Sequence, residues 1–277
     1  MLALITILRP LNLLQATLAV VLTTAFLSEL DQQNTLFLLI ISVVCINGAG
    51  NIINDIYDIE IDRINRPHRP LPAGKMKIST ARFYMFFLFS WGIFCSWLIS
   101  FETFAIAGLL ATPILIAYSA WFKRLPLLGN LTVSFMLGLA FIYVGSAFGK
   151  IETTFVMALL AFGFTLIREL IKDLEDMDGD GEAGARTLPL IWGEQATIRF
   201  TILLMLVFTM LDLLPFVMGV YGNTYLWLVL FGINIPLLIC VYNLWGKRTD
   251  NTYSRIQLFL KLDIFVGLAA IYFGHPT

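Results

Sequence analysis

Asn51-Ile-Ile-Asn54-Asp55-Ile-Tyr57-Asp58-Ile-Glu60-Ile-Asp62 decides the reading of this chain, because its pattern occurs a second time. Asn51, Asp55, Asp58 and Asp62 are matched at identical spacing by Glu169, Asp173, Asp176 and Asp180. Each copy is followed by a shared signature, Arg69-Pro70-Leu71-Pro72 after the first and Arg186-Thr187-Leu188-Pro189 after the second. On a helix, each set of four falls within an arc of roughly 60°. Clustered anions repel one another, and a bound cation relieves that repulsion.

The sequence around these stripes is strongly apolar. The chain has 277 residues, is 58% hydrophobic and 13% charged, and has a mean hydropathy of +0.83. A soluble domain carries about 25% charged residues, so the composition predicts an all-α polytopic membrane protein. Apolar runs occupy about 11–29, 36–57, 80–99, 103–121, 127–148, 153–171, 197–218, 224–245 and 256–273. Each approaches the ~20 residues that a spanning helix requires. Nine transmembrane helices are therefore expected, with kinks suggested at Pro113, Pro215 and Pro236. Cys45, Cys95 and Cys240 all lie inside apolar runs and read as packed, reduced residues. No cleavable signal peptide is expected, because the first apolar stretch runs on without a small-residue cleavage site.

The distribution of basic residues predicts orientation. Arg63, Arg66, Arg69, Lys75 and Lys77 share one side with Lys123, Arg124, Lys172 and Arg186 under a nine-helix count. Arg9, Lys247, Arg248 and Arg255 join them, and Lys150 alone falls on the other side. The positive-inside rule puts the N-terminus and both acidic motifs in the cytoplasm and the C-terminus outside. The motifs then end helices 2 and 6. That offset of four helices predicts parallel pseudo-repeats, about 1–124 and 125–255, with a final helix at 256–273. All of 1–277 reads as a single transmembrane domain, with a substrate site between its halves.

Carboxylate and amide oxygens suit hard cations, and no histidine or cysteine beside the motifs favours zinc or copper. Mg²⁺ bridges one or two carboxylates to a substrate phosphate. Two stripes would hold such ions around a diphosphate, with Arg66, Arg69, Arg168, Lys172 and Arg186 available for its remaining oxygens. A calcium alternative fails. Asp176, Asp178, Asp180 and Gly181 fit the start of an EF-hand loop, but its twelfth position is Thr187 instead of Glu. Glu60, Glu175, Asp178 and Glu182 read as solvated loop residues.

Asn54-Asp55-x-x-Asp58-x-x-x-Asp62 with Arg66-Pro67 and Arg69-Pro70-Leu71-Pro72 resembles the first signature of the UbiA-type intramembrane prenyltransferases. Asp173-x-x-Asp176-x-x-Gly179-Asp180 with Gly184-x-Arg186-Thr187-Leu188-Pro189 resembles the second, and Arg9-Pro10-x-Asn12 is similar to the N-terminal motif. Within the family, Arg168-Glu169-Leu-Ile-Lys172-Asp173 is most similar to the geranylgeranylglyceryl phosphate geranylgeranyltransferases. The resemblance implies a nine-helix bundle around a central cavity and a Mg²⁺-bound allylic diphosphate. Its implied metal ligands are Asn54, Asp58, Asp62, Asp176 and Asp180. Asp58, Asp62, Asp176, Asp180 and Lys172 are the expected catalytic residues. Asn12, Asp55, Arg66, Arg69, Arg168, Asp173 and Arg186 are expected at the diphosphate or acceptor.

The implied reaction moves a prenyl group from an allylic diphosphate to a lipophilic acceptor, here the hydroxyl of a glycerol phosphate ether. Lys75 and Lys123 are further candidates for the acceptor phosphate, although such lysines more often anchor to lipid. Tyr57, Tyr118 and Tyr143 are candidates to face the prenyl cation. Membrane lipid is the expected surrounding, and neither nucleic acid nor an obligatory protein partner is expected. Alternatives are an aromatic-acceptor prenyltransferase of quinone or chlorophyll type, and a cation or substrate transporter. Acids gathered at one membrane face speak against transport. A non-catalytic lipid-binding scaffold would leave the duplicated stripes without a reason.

Overall fold

A computed structural model describes residues 2–182, 185–246 and 251–274. Gly184 of the second signature, and Lys247 and Arg248 of the orientation argument, lie outside the described residues, as do the side chains of Asp178 and Glu182.

The described residues form helices and turns, with no strand. Eight helices are long and apolar enough to cross a membrane, and a shorter apolar helix, α1 (Pro10–Phe26), precedes them. They are α2 (Gln33–Tyr57), α3 (Ile78–Ile99), α4 (Phe101–Ala120), α5 (Leu128–Ala147), α6 (Ile151–Glu175), α7 (Glu194–Val217), α8 (Asn223–Trp245) and α9 (Thr252–Phe273). Within a bilayer a helix satisfies every backbone group internally, which is why apolar runs of this length fold this way. Pro113 and Pro236 each follow a π-helical stretch, Ala105–Ala111 and Leu230–Asn234. A proline ring removes an N–H from the ladder and crowds the turn before it, so a widened turn there is expected.

The chain forms two compact units: Met1–Lys123 with Leu139–Phe155, and Arg124–Gly138 with Val156–Thr277. Helices α5 and α6 contribute residues to both.

In the first unit, α2 packs mainly on α3. Gly92 permits this approach, since a Cβ there would lie 2.8 Å from Ile46 Cγ1 and 3.1 Å from the Ser42 carbonyl oxygen. Beside this contact the hydroxyls of Ser42, Ser96 and Tyr143 join α2, α3 and α5 at 2.7–2.8 Å. Hydroxyl pairs between packed helices are a usual way of joining spans where lipid tails give no hydrophobic drive. Lys150, the basic residue that departs from the orientation pattern, donates to the Leu27 carbonyl at 2.8 Å and pairs with Glu29 at 2.5 Å. Its charge is therefore compensated locally.

In the second unit, Leu166, Leu170 and Leu188 form a buried cluster with Leu127 and Leu131 against it. Gln257 of α9 donates to the Arg168 carbonyl of α6 at 3.0 Å. Large apolar side chains remain exposed, among them Phe87, Trp91, Phe94 and Trp97, whose rings neighbour one another in succession along α3. Such a surface suits lipid and not water.

Candidate functional site

The acidic stripe is duplicated in backbone as well as sequence. Helix α2 stops at Tyr57, Asp58 interrupts it, and a short helix runs Ile59–Asn65. Helix α6 stops at Glu175, Asp176 interrupts it, and a short helix runs Met177–Glu182. The interruption falls on the equivalent aspartate in both copies. Helical hydrogen bonds nevertheless cross each one. Asp58 N bonds Asn54 O at 2.9 Å and Asp62 N bonds Asp58 O at 2.7 Å. Asp176 N bonds Lys172 O and Asp180 N bonds Asp176 O, both at 2.9 Å. The carboxylates thus keep a helical spacing while the chain turns out of the spanning helix.

In the first copy each acid faces a protein cation. Asp55, only 2% exposed, accepts from Arg9 Nη2 at 2.5 Å and Arg69 Nη1 at 3.2 Å. The same Arg69 nitrogen reaches Asp62 Oδ2 at 2.5 Å. Lys123 Nζ is paired with Asp58 Oδ1. Asn54 Oδ1 lies 2.8 Å from the Ser119 hydroxyl, and Asn51 donates to the Leu8 carbonyl at 2.9 Å.

The second copy is compensated differently. Arg168 pairs with Glu169 at 2.8 Å, and Lys172 stands 3.9 Å from the same carboxylate. Asp173 accepts from the neutral amide of Asn130 at 2.9 Å. Among the described residues, Asp173 and Asp180 have no ion pair. Burial raises the Asp180 carboxyl above the ordinary carboxylate range, and the Asp176 charge adds to the rise.

The Leu of each Arg-x-Leu-Pro signature is a packing residue. Leu71 is 7% exposed in the core of the first unit, and Leu188 is 1% exposed in that of the second. Their arginines part company. Arg69 turns inward to two aspartates, whereas Arg186 is exposed. Arg66, Lys172 and Asn12 are also exposed.

Residues 13–262 match the UbiA prenyltransferase family. The chain belongs to this family. It is 32% identical over 273 residues to the digeranylgeranylglyceryl phosphate synthase of Methanosphaera stadtmanae, covering 98% of each chain. It is 36% identical over 269 residues to the synthase of that name from Thermococcus gammatolerans, covering 97% and 96%. A solved structure of a digeranylgeranylglyceryl phosphate synthase matches with a TM-score of 0.84 at 28% identity, covering 98% of this chain and 97% of that one. A UbiA homologue from Archaeoglobus fulgidus bound to GPP and Mg²⁺ shares the fold, with a TM-score of 0.71 at 20% identity over 97% and 99% of the two chains.

The chain is therefore an integral membrane prenyltransferase, and its acidic motifs carry oxygen donors of the kind a hard cation takes. Among the described residues, no three His, Cys, Asp or Glu side chains converge as a ready-made metal cage. Mg²⁺ does not require one, because it keeps waters and takes one or two carboxylates together with phosphate oxygens. Oxygen donors on a helical stripe fit that demand. Four partners of this prenyltransferase's motifs escaped sequence reasoning in these roles: Arg9, Ser119, Lys123 and Asn130. Asn130 left a signal, as the one amide within the apolar run 127–148. Ser119 left none.

Proposed function

We propose that this chain transfers a geranylgeranyl group from geranylgeranyl diphosphate to the hydroxyl of geranylgeranylglyceryl phosphate, with Mg²⁺, in ether-lipid synthesis. The observation that carries the choice of substrates is near-complete coverage by relatives named digeranylgeranylglyceryl phosphate synthase. Asn54, Asp58, Asp62, Asp176 and Asp180 are the proposed Mg²⁺ holders. Bound Mg²⁺ would draw off the negative charge that gathers on the departing diphosphate. Arg66, Arg69, Arg168, Lys172 and Arg186 are proposed to hold its other oxygens, since charge-assisted donors suit a developing anion. The C1–O bond of the allylic diphosphate breaks, the acceptor oxygen bonds C1, and the hydroxyl proton is released. Apolar spans exclude the water that would otherwise capture the prenyl cation.

The same reading makes 1–277 one domain of two parallel repeats, with the motifs in the cytoplasm, the N-terminus inside and the C-terminus outside. The shared interruption at Asp58 and Asp176 supports the repeat. Labelling of cysteines introduced at exposed Lys75 and at Lys150 in sealed vesicles tests the sidedness.

Purified protein with Mg²⁺ and geranylgeranyl diphosphate is expected to release diphosphate when geranylgeranylglyceryl phosphate is added, and not with 4-hydroxybenzoate, homogentisate or a chlorophyllide. Transfer to an aromatic acceptor alone would overturn the choice of acceptor. Asp58→Ala and Asp180→Ala should each abolish turnover in folded protein, and wild-type rates in either would remove the metal assignment.

A further inference from the structure

We propose that Lys123 is an internal counter-cation that occupies the first acidic motif in the metal-free protein, so that metal loads weakly at Asp58 until Lys123 transfers to an incoming diphosphate. The inference rests on the function proposed above and adds an order of events to it.

Three acids of the first motif, Asp55, Asp58 and Asp62, face three cations brought from separate segments: Arg9, Arg69 and Lys123. The stripe is thus charge-balanced by the protein itself. The three cations are not equivalent. Arg9 is tied to Asp55, and Arg69 spans Asp55 and Asp62 with one nitrogen, so both hold the more deeply buried acids. Lys123 engages Asp58 alone. It stands in a short 3-10 turn, Phe122–Arg124, directly after α4. Its ammonium is a compact charge on a flexible stem, the kind of cation that can change partner without moving backbone. Its side chain is 14% exposed and that of Asp58 is 23%, so the pair lies near the surface of the unit and not deep inside it.

A metal ion and the Lys123 ammonium would compete for the same Asp58 oxygen. Freeing the oxygen leaves an ammonium without a counter-charge in a half-buried place, which is costly unless an anion arrives. A diphosphate that comes with the metal supplies that anion. Lys123 then opposes metal alone but pairs with the diphosphate when both are present, and the resulting coupling is reciprocal, so each ligand strengthens the binding of the other. A residue that only binds diphosphate has no effect on metal alone. One that only anchors to lipid affects neither.

The test uses the full-length protein in detergent, with Mn²⁺ as a paramagnetic probe and a non-reactive thiolo analogue of geranylgeranyl diphosphate. Free Mn²⁺ is followed by its spin resonance signal, first without the analogue and then with it. Lys123→Gln is expected to bind Mn²⁺ about tenfold more tightly than wild type without the analogue, within the usual range of such couplings. The same variant should bind the analogue several-fold more weakly at saturating Mn²⁺. Lys123→Arg keeps the charge and should follow wild type in the first measurement. In an Asp58→Asn background the gain from Lys123→Gln should disappear, which also shows whether a folded variant acts through that carboxylate. Unchanged or weaker Mn²⁺ binding by Lys123→Gln without the analogue would overturn the proposal. Turnover by wild type is scored separately. Its absence would remove the proposed function, whereas the sign of the Mn²⁺ shift decides the role of Lys123.

Discussion

Arg9 Nη2 lies 2.5 Å from Asp55 Oδ1, although the two residues stand 46 positions apart in the chain. Arg9 holds a left-handed backbone, φ 56° and ψ 72°, immediately before Pro10. Such a conformation costs a non-glycine residue about 1–3 kcal/mol, and the surrounding contacts must offset it. The ion pair to a buried carboxylate is such a contact. Arg9→Gln is therefore expected to destabilise the protein by about 1–3 kcal/mol. That is less than the loss of a sole partner, because Arg69 still faces Asp55 and Arg9 is itself 29% exposed. Thermal unfolding in detergent measures it, and an unchanged midpoint would show that Arg69 alone suffices.

The duplicated acidic positions are legible in the sequence, whereas the partners that hold them are not. Run length locates α2 and α6, because a bilayer imposes the length. The same hydropathy ends one element too early. The run at 153–171 stops where Lys172 and Asp173 begin, whereas α6 continues to Glu175 through both of them. Helical hydrogen bonding does not end where apolarity ends. Arg9 and Lys123 could not be assigned because their acids lie 46 and 65 positions away, and sequence places them only on a shared membrane side. The leucine of Arg-x-Leu-Pro was visible in the motif, yet its burial depends on core residues from other helices.

Leu188 anchors the second signature through packing. It is 1% exposed among Leu166 and Leu170, just as Leu71 is buried in the first unit. Leu188→Ala should cost about 2–5 kcal/mol, whereas Leu188→Met should cost under about 1.5 kcal/mol. Chemical denaturation in detergent separates the two. Equal, small losses would mean that the segment closes over the gap.

Lys150 gives a pH dependence with a definite sign. Its hydrogen bond, aided by Gln32, holds the Glu29 carboxyl below the ordinary carboxylate range. A depressed acid contributes stability above its ordinary range and loses that contribution as pH falls through the lowered value. Lys150→Gln should therefore be less stable than wild type at neutral pH, and the gap should narrow in acid below the carboxylate range. The pair is partly exposed, at 39% for the Lys150 side chain and 17% for that of Glu29, so salt should narrow the gap as well. A gap that stays constant from neutral to acid would assign the effect to the Leu27 carbonyl bond and not to the charge.

Asp212 offers a stabilising substitution away from the acidic motifs. It ends the α-helical stretch Glu194–Leu211 within α7, is 1% exposed, and accepts from Asn234 Nδ2 at 3.2 Å through Oδ1. Its backbone carbonyl accepts from the Tyr225 hydroxyl at 2.7 Å. Asp212 Oδ2 and Asn234 Oδ1 are both buried without a hydrogen-bond partner among the described residues. Both orphans are acceptors, so neither can satisfy the other, and a buried unpaired polar group costs about 1–3 kcal/mol. Asp212→Asn keeps the oxygen that Asn234 already uses and replaces the other with an amide donor. Two side-chain amides can then exchange hydrogen bonds in both directions. Thermal unfolding in detergent should show a midpoint raised by about 2–4 °C, the shift that roughly 1 kcal/mol produces in a chain of this size. Asp212→Leu removes the orphan oxygen but leaves Asn234 Oδ1 unpaired and Asn234 Nδ2 with the Thr209 carbonyl alone, at 3.2 Å, and should give a lower midpoint than Asp212→Asn. A lower midpoint for Asp212→Asn would mean that Asp212 Oδ2 already holds a proton that serves Asn234.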